Sequence, residues 1–223
     1  ENCLVFTIHD EYGRPVGFAA RNLDYNPSVP SDDPRSRKYV NSATTGVRVN
    51  LYQKPRRFYG LHLCDKNQPL FILEGYTDVL TARQAGLTNC CALGGTALTV
   101  EHLETLREFG FYDIVLALDG DIAGQTRIES ILDNRLAGVR DLRIRVLVWP
   151  AGQDPDDFIR AHGIEEFHKL KLWSAFEWRL NRVSEQSDPG DICSDMVAFI
   201  VNEPNHILQE QMCQTLHNYT CFS

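Results

Sequence analysis

Three acidic groups follow one another along the chain: Glu74-Gly75-Tyr76-Thr77-Asp78, Asp119-Gly120-Asp121 and Asp154-Pro155-Asp156. Each comes where an apolar run ends, at residues 70–73, 114–118 and 143–149, the last followed by a Pro150-Ala151-Gly152-Gln153 turn. Carboxylates at the ends of buried strands are costly unless something positive neutralises them. A hard divalent cation suits the task, because Mg2+ takes oxygen ligands and bridges to phosphates. The pattern therefore points to metal-dependent chemistry on phosphate esters. Asp119 and Asp121, two residues apart, project to one side of an extended segment. Gly120 between them lets the backbone bend close to a ligand, and a metal removes their mutual repulsion. Glu74 ends a strand among apolar neighbours and is a candidate metal ligand or general acid–base. Plainer readings stand beside these. Asp78 and Asp156 each favour a helix N-terminus, helix capping alone explains Asp154, and Asp-Gly-Asp can be a surface turn.

The elements that must position these residues alternate. Residues 4–21 read as a hairpin around the turn-like residues 10–15. Residues 22–37, rich in Asn, Asp, Pro and Ser, read as a loop, and residues 57–63 as a short helix. From Pro69 the pattern becomes strand 70–73, helix 77–85 closed by Gly86, strand 90–93, helix 99–109, strand 112–118, helix 121–137 and strand 143–148. Apolar residues at helical spacing mark the helices, including Ile128, Ile131, Leu132 and Leu136. Asp154 then reads as an N-cap, with Pro155 at the first helical position and Gly163 at the exit. Such a series predicts a mostly parallel, helix-covered sheet, with ligands bound outside the carboxyl ends of its strands. That is where the acids fall. From Ile164 onward the sequence reads as helices, with Phe167, Leu170, Trp173, Phe176 and Leu180 on one stripe and a linker over 184–191.

Bulk properties narrow the class. The 223 residues are 43% hydrophobic, and no run is long and apolar enough for a membrane span. The seven cysteines form no Cys-x-x-Cys pair and no zinc spacing, which reads as free thiols in a reducing cytoplasm. The net charge of −8 is unevenly spread. Residues 1–66 hold ten Lys or Arg against seven Asp or Glu, so this part is mildly basic and the acidic excess lies beyond it. A phosphate-binding part beside a metal-binding part has this distribution, as does an ordinary solvated surface. The opening residues enter a strand-like run at once, as an excised piece of a longer protein would.

Glu74-Gly75 followed by Asp119-Gly120-Asp121 resembles the Toprim fold of topoisomerases and primases. Residues 71–78, 92–99 and 119–124, with Gly152-Gln153-Asp154-Pro155-Asp156, resemble the bacterial DnaG-type primase in detail, although Gly95 makes the loop after Leu93 one residue longer. Upstream, Gly17-Phe18-Ala19-Ala20-Arg21, Lys38-Tyr39-Val40-Asn41-Ser42 and Tyr59-Gly60-Leu61 resemble that family's amino-terminal subdomain. The resemblance covers roughly residues 4–165. It implies an α/β fold: a Toprim-type, mostly parallel sheet covered by helices over 67–163, a smaller α+β amino-terminal subdomain over 1–66, and a helical carboxyl-terminal segment over 164–223. It implies metal-dependent synthesis of short RNA primers on single-stranded DNA. Two or more Mg2+ or Mn2+ ions would be held by Glu74, Asp78, Asp119, Asp121, Asp154 and Asp156, with Glu74, Asp119 and Asp121 catalytic. Arg21, Lys38 and Asn41 would contact nucleotide phosphate or template. Nucleoside triphosphates, a DNA template, an RNA primer and a replicative helicase bound through a region absent here are the implied partners, in the bacterial cytoplasm or on a phage or plasmid replicon. The family's zinc-binding module is absent here. A Toprim nuclease, a topoisomerase-like strand cleaver and a non-catalytic nucleic-acid-binding module are the alternatives.

Overall fold

The computed structural model describes residues 2–42, 57–95, 97–138, 141–150, 153–184, 189–203 and 205–220. Arg48, Lys54 and Arg56 of the basic part, Thr96, Gly152, residues 185–188 of the expected linker and Cys221 lie outside the described residues, as does the side chain of Leu136.

A five-stranded sheet carries the molecule. Its strands are β4 (Leu70–Leu73), β5 (Cys90–Ala92), β6 (Asp113–Leu116), β7 (Arg143–Leu147) and β8 (Leu172–Ser174). They lie in the order β5-β4-β6-β7-β8, parallel except for β8, which pairs antiparallel to β7. Helices cover both faces, so β4, β5 and β6 after Asp113 read as continuous apolar runs, while β7 alternates Arg143 and Arg145 with Ile144 and Val146. The period-two pleat still sorts the side chains. Ile114 and Leu116 join Leu103 and Leu106 of α2 (Val100–Glu108) and Ile128, Ile131 and Leu132 of α3 (Ile122–Gly138) on one face. Val115 and Ala117 join Val79 and Ala82 of α1 (Tyr76–Gln84) and Phe158 and Ile159 of α4 (Pro155–Phe167) on the other. From β4 the chain crosses to β5 on one side and returns to β6 on the other. The switch point thus falls between the carboxyl ends of β4 and β6, where Glu74 and Asp119 follow their strands.

A second, antiparallel sheet is built from β1 (Cys3–His9), β2 (Pro15–Asn22) and β3 (Tyr39–Asn41). Phe6, Ile8 and Ala19 on its inner face pack against Tyr76. The Phe6 and Tyr76 rings stack at 5.0 Å, and the Tyr59 ring meets Tyr76 edge-on at 5.1 Å. The small sheet therefore rests on the first turn of α1, next to Glu74.

Several local expectations change. Residues 57–63 contain a 3-10 turn at Leu61–Leu63, and Tyr59 instead bridges to Ala92. The single helical stripe expected from Phe167 to Leu180 is split. Phe167 and Leu170 pack on one face of the sheet, Phe176 and Leu180 on the other, and Trp173 between them lies in β8. An i, i+3 spacing of large apolar residues satisfied a helix pattern, while sheet pairing to Val146 decided the backbone. Gly163 takes φ 78, a left-handed value that suits glycine, but it kinks α4 without ending it at that point. The remaining helices are α5 (Ala175–Ser184), α6 (Pro189–Asn202) and α7 (His206–Thr220). Pro189 and Gly190, expected in the linker, open α6, since proline fits a first helical turn.

Candidate active site

Three strand ends and three helix starts bring the six predicted acids into one field. Glu74 follows β4. Its Oε1 accepts the backbone N–H of Asp119 at 3.1 Å, tying the ends of β4 and β6 together. Its Oε2 pairs with the guanidinium of Arg127 on α3. Asp78 sits in the first turn of α1 and accepts the Gly75 N–H at 2.7 Å. Asp121 accepts the Gly124 N–H at 2.6 Å, and Asp154 accepts the Asp157 N–H at 2.7 Å, so both are helix N-caps as well as members of the cluster. Asp156 pairs with Arg160 at 2.8 Å, and Arg160 also donates to the Thr81 hydroxyl at 3.0 Å.

Asp119 differs from the rest. Among the described residues no donor reaches its carboxylate, and its pKa is pushed up to about 7. Burial contributes most, followed by the charges of Glu74, Asp78, Asp154 and Asp121. Burial also raises Asp78, against the Gly75 N–H and with help from Asp154, Asp156 and Glu74. At Asp156 burial works upward, yet Arg160, Thr81 and the charge of Arg21 bring the carboxyl below its ordinary value.

Glycine makes the close approaches possible. A Cβ on Gly120 would lie 2.7 Å from the Gln153 carbonyl oxygen, and one on Gly124 would lie 2.0 Å from that of Asp119. The β6 turn, the Asp154 loop and the start of α3 can converge only because neither position carries a side chain.

The donor set is all hard oxygen, Asp78 and Asp119 are raised by the acids around them, and Asp156 Oδ1 is buried with no hydrogen bond of normal geometry among the described residues. A Mg2+ or Mn2+ ion fits that chemistry. Among the described residues, however, no three acids converge tightly enough to hold an ion as they stand. Two of the acids, Glu74 and Asp156, pair instead with Arg127 and Arg160.

Of the three other predicted residues, Arg21 lies on β2 opposite Leu4 and Tyr39, close enough for its charge to act on Asp156. Asn41, at the end of β3, accepts from the Tyr76 hydroxyl at 3.5 Å. Lys38 is exposed, and no contact joins its side chain to the acids. The basic character of the first part is also partly spent internally, since Arg14, Arg35 and Arg57 pair with Asp10, Asp33 and Glu11. The sequence reading missed Arg127, Arg160 and Thr81. The i, i+4 spacing of Asp156 and Arg160 was a usable signal. Arg127 gave none, because its partner lies 53 residues away.

A doubly covered sheet with acids at its switch point defines a Toprim-type domain, and residues 71–159 match the Toprim-like family. Residues 1–65 match the family described as the N-terminal domain of the DNA primase catalytic core. A DNA primase of Clostridium acetobutylicum is 33% identical over 215 residues, covering 94% of this chain and 33% of that protein. A DNA primase domain from Pseudomonas aeruginosa matches the fold with a TM-score of 0.81 at 27% identity, covering 100% of this chain and 70% of the other. The DnaG primase catalytic domain bound to single-stranded DNA gives 0.77 at 26% identity, covering 97% and 70%. The chain belongs to the bacterial DnaG-type primase family, in the part that forms the RNA polymerase domain. It spans 33% of the length of the Clostridium acetobutylicum primase and 23% of a Pseudomonas aeruginosa one.

Proposed function

We propose that this chain is the catalytic core of a primase, a nucleotidyltransferase that makes short RNA primers on single-stranded DNA. The observation that carries the reading is the junction at Tyr76. There the switch-point acids meet a small sheet whose Arg21 acts on Asp156 and whose Asn41 reaches the Tyr76 hydroxyl. A bare Toprim nuclease or topoisomerase lacks that sheet.

In this reading Glu74, Asp78, Asp119, Asp121, Asp154 and Asp156 hold two or more Mg2+ or Mn2+ ions. Metal ions held there would supply Lewis-acid activation of a primer 3′-hydroxyl and charge neutralisation for the triphosphate and the departing pyrophosphate. Asp119 is the strongest candidate first ligand, because no protein donor among the described residues competes for it. The Glu74 bond to the Asp119 N–H holds the two strand ends in register for that task. Arg21, Lys38 and Asn41 face the nucleotide phosphates or the template from the small sheet. The three-part organisation assigns residues 1–66 to this template side, 67–163 to the metal site, and 164–223, which completes α4 and adds β8 to the main sheet before its helices, to a cap. A replicative helicase would engage a region outside this chain, and the bacterial cytoplasm is the site of action. Among the described residues no helix is long and apolar enough to cross a membrane.

The test is primer synthesis by the full-length parent on single-stranded DNA with nucleoside triphosphates and Mn2+ or Mg2+. Short RNA products that disappear with EDTA support the reading. Cleavage of the template without RNA products would instead establish the nuclease alternative. Template binding without either product would leave only the non-catalytic one.

A further inference from the structure

Arg127 stands at the one carboxylate that joins the two switch-point strands. It projects from the second turn of α3, and its guanidinium pairs with Oε2 of Glu74 while the Asp119 N–H occupies Oε1. Both oxygens of the most buried member of this ion pair are therefore taken by protein donors. The Glu74 side chain is 17% exposed and that of Arg127 is 41% exposed, so the arginine reaches in from the solvent side. Arg160 presents a different case. Its partner Asp156 is an i, i+4 neighbour on the same helix, and Arg160 is anchored a second time by Thr81. Arg127 has no second anchor among the described residues and can swing away without breaking anything but the Glu74 pair.

We propose that Arg127 is a built-in counter-cation, which a divalent ion must displace before Glu74 can serve as a ligand. The inference rests on the metal-site reading above and adds a control on it. In the metal-free protein the guanidinium neutralises a strand-end carboxylate that already faces Asp78 and Asp119. An incoming Mg2+ or Mn2+ competes for the same oxygen, so part of its binding free energy is spent on releasing the arginine. Arg127 thus lets the acidic cleft fold without metal and sets a lower affinity than the acids alone would give.

A bare charge effect would also tighten cation binding when an arginine is removed. A four-member cycle separates the two explanations: Mn2+ titrations of the full-length protein as wild type, Arg127→Gln, Glu74→Gln and the double variant. Displacement predicts that Arg127→Gln tightens Mn2+ by about fivefold or more when Glu74 is present, the lower end of typical site-to-site coupling. In the Glu74→Gln background the gain should shrink to less than about twofold, because there is no carboxylate left to free. Equal tightening in both backgrounds overturns the proposal in favour of charge alone, and unchanged or weaker binding in Arg127→Gln overturns it outright. Melting in EDTA gives a second reading: Arg127→Gln should lower the melting temperature and Arg160→Gln should not reproduce the Mn2+ cycle. If wild type binds no Mn2+, or Asp119→Asn binds it as wild type does, the metal-site reading fails and takes this proposal with it. If Asp119→Asn abolishes binding while the cycle shows no coupling, only the role of Arg127 is lost.

Discussion

Two aspartates that follow strands are treated in opposite ways. Asp10 comes directly after β1 and is 4% exposed. Its Oδ1 accepts the N–H groups of Tyr12 and Arg14 at 3.0 and 2.9 Å, and its Oδ2 accepts from Arg14 Nε at 2.7 Å. Burial works upward on its pKa, but those donors more than offset it and hold the carboxyl below its ordinary value. Asp119 follows β6 with no donor among the described residues, four acidic neighbours and a pKa of about 7. The same residue type closes a turn in one place and, in the other, stands among acids without a donor, so that it ionises only as pH rises toward 7. A fold that satisfies Asp10 so fully has the means to satisfy Asp119. That it does not marks the site where something from outside the chain is expected to bind.

The largest effect should come from breaking that contrast in function. Asp119→Asn, Asp121→Asn or Glu74→Gln in the full-length parent should reduce primer synthesis by roughly 100- to 1000-fold, the scale lost when transition-state charge loses its partner. Binding of single-stranded DNA should persist. Asp10→Asn should leave the rate per folded molecule within about threefold of wild type, far below that range. Wild-type synthesis by any of the three site variants would falsify the assignment.

Stability should then respond with opposite signs. Asp10→Ala leaves two N–H groups of a tight turn unpaired and should cost about 1–3 kcal/mol, read from denaturant melts. Asp119→Asn removes repulsion and should gain about 0.5–2 kcal/mol in EDTA, while shrinking the rise in melting temperature that Mn2+ gives wild type. The N-cap geometry found for Asp121 alters the expectation there: Asn caps a helix about as well, so Asp121→Asn should change the EDTA melt little. A destabilised Asp119→Asn in EDTA would refute the repulsion account.

Their pH dependences should also diverge. The unfolded carboxyl has a pKa near 4, so between about pH 4 and pH 7 the folded protein keeps a proton on Asp119 that the unfolded chain has lost. Metal-free stability should therefore fall as pH rises through that window, and the slope should flatten in Asp119→Asn. Asp10, held low, contributes stability that is present above the unfolded value and lost as pH falls through its folded one. Melting curves in EDTA from pH 4.5 to 8 would read the first effect, and an unaltered slope in Asp119→Asn would remove Asp119 as its source.

The smallest effect concerns the small sheet. Arg21→Ala or Lys38→Ala should weaken binding of nucleotide or single-stranded DNA severalfold at low salt, with the loss shrinking at high salt as counterion release requires. Arg21, which already acts on Asp156, should show the larger change. Equal affinity in both variants would return the two residues to a solvated surface.

Much of this was readable from the chain. The strand and helix alternation from Pro69 to Phe167 was legible because pleat, cap and helical spacing are set by backbone geometry within a few residues. The acids announced themselves because each ends an apolar run. Strand β8 did not, since three residues carry too little pattern to compete with an i, i+3 row of large apolar residues. The conversion of Asp121 and Asp154 into caps as well as site members was half visible, as their spacing allowed both roles. What the sequence by itself determined, then, is which carboxylates stand at which strand ends. Only the tertiary structure decided how they are neutralised: Glu74 by Arg127 across 53 residues, Asp156 by its own helix, and Asp119 by nothing among the described residues. Local periodicity sets where a side chain begins, but a partner is chosen by the crossover that folds a distant helix over the same sheet edge, and no local pattern records that choice.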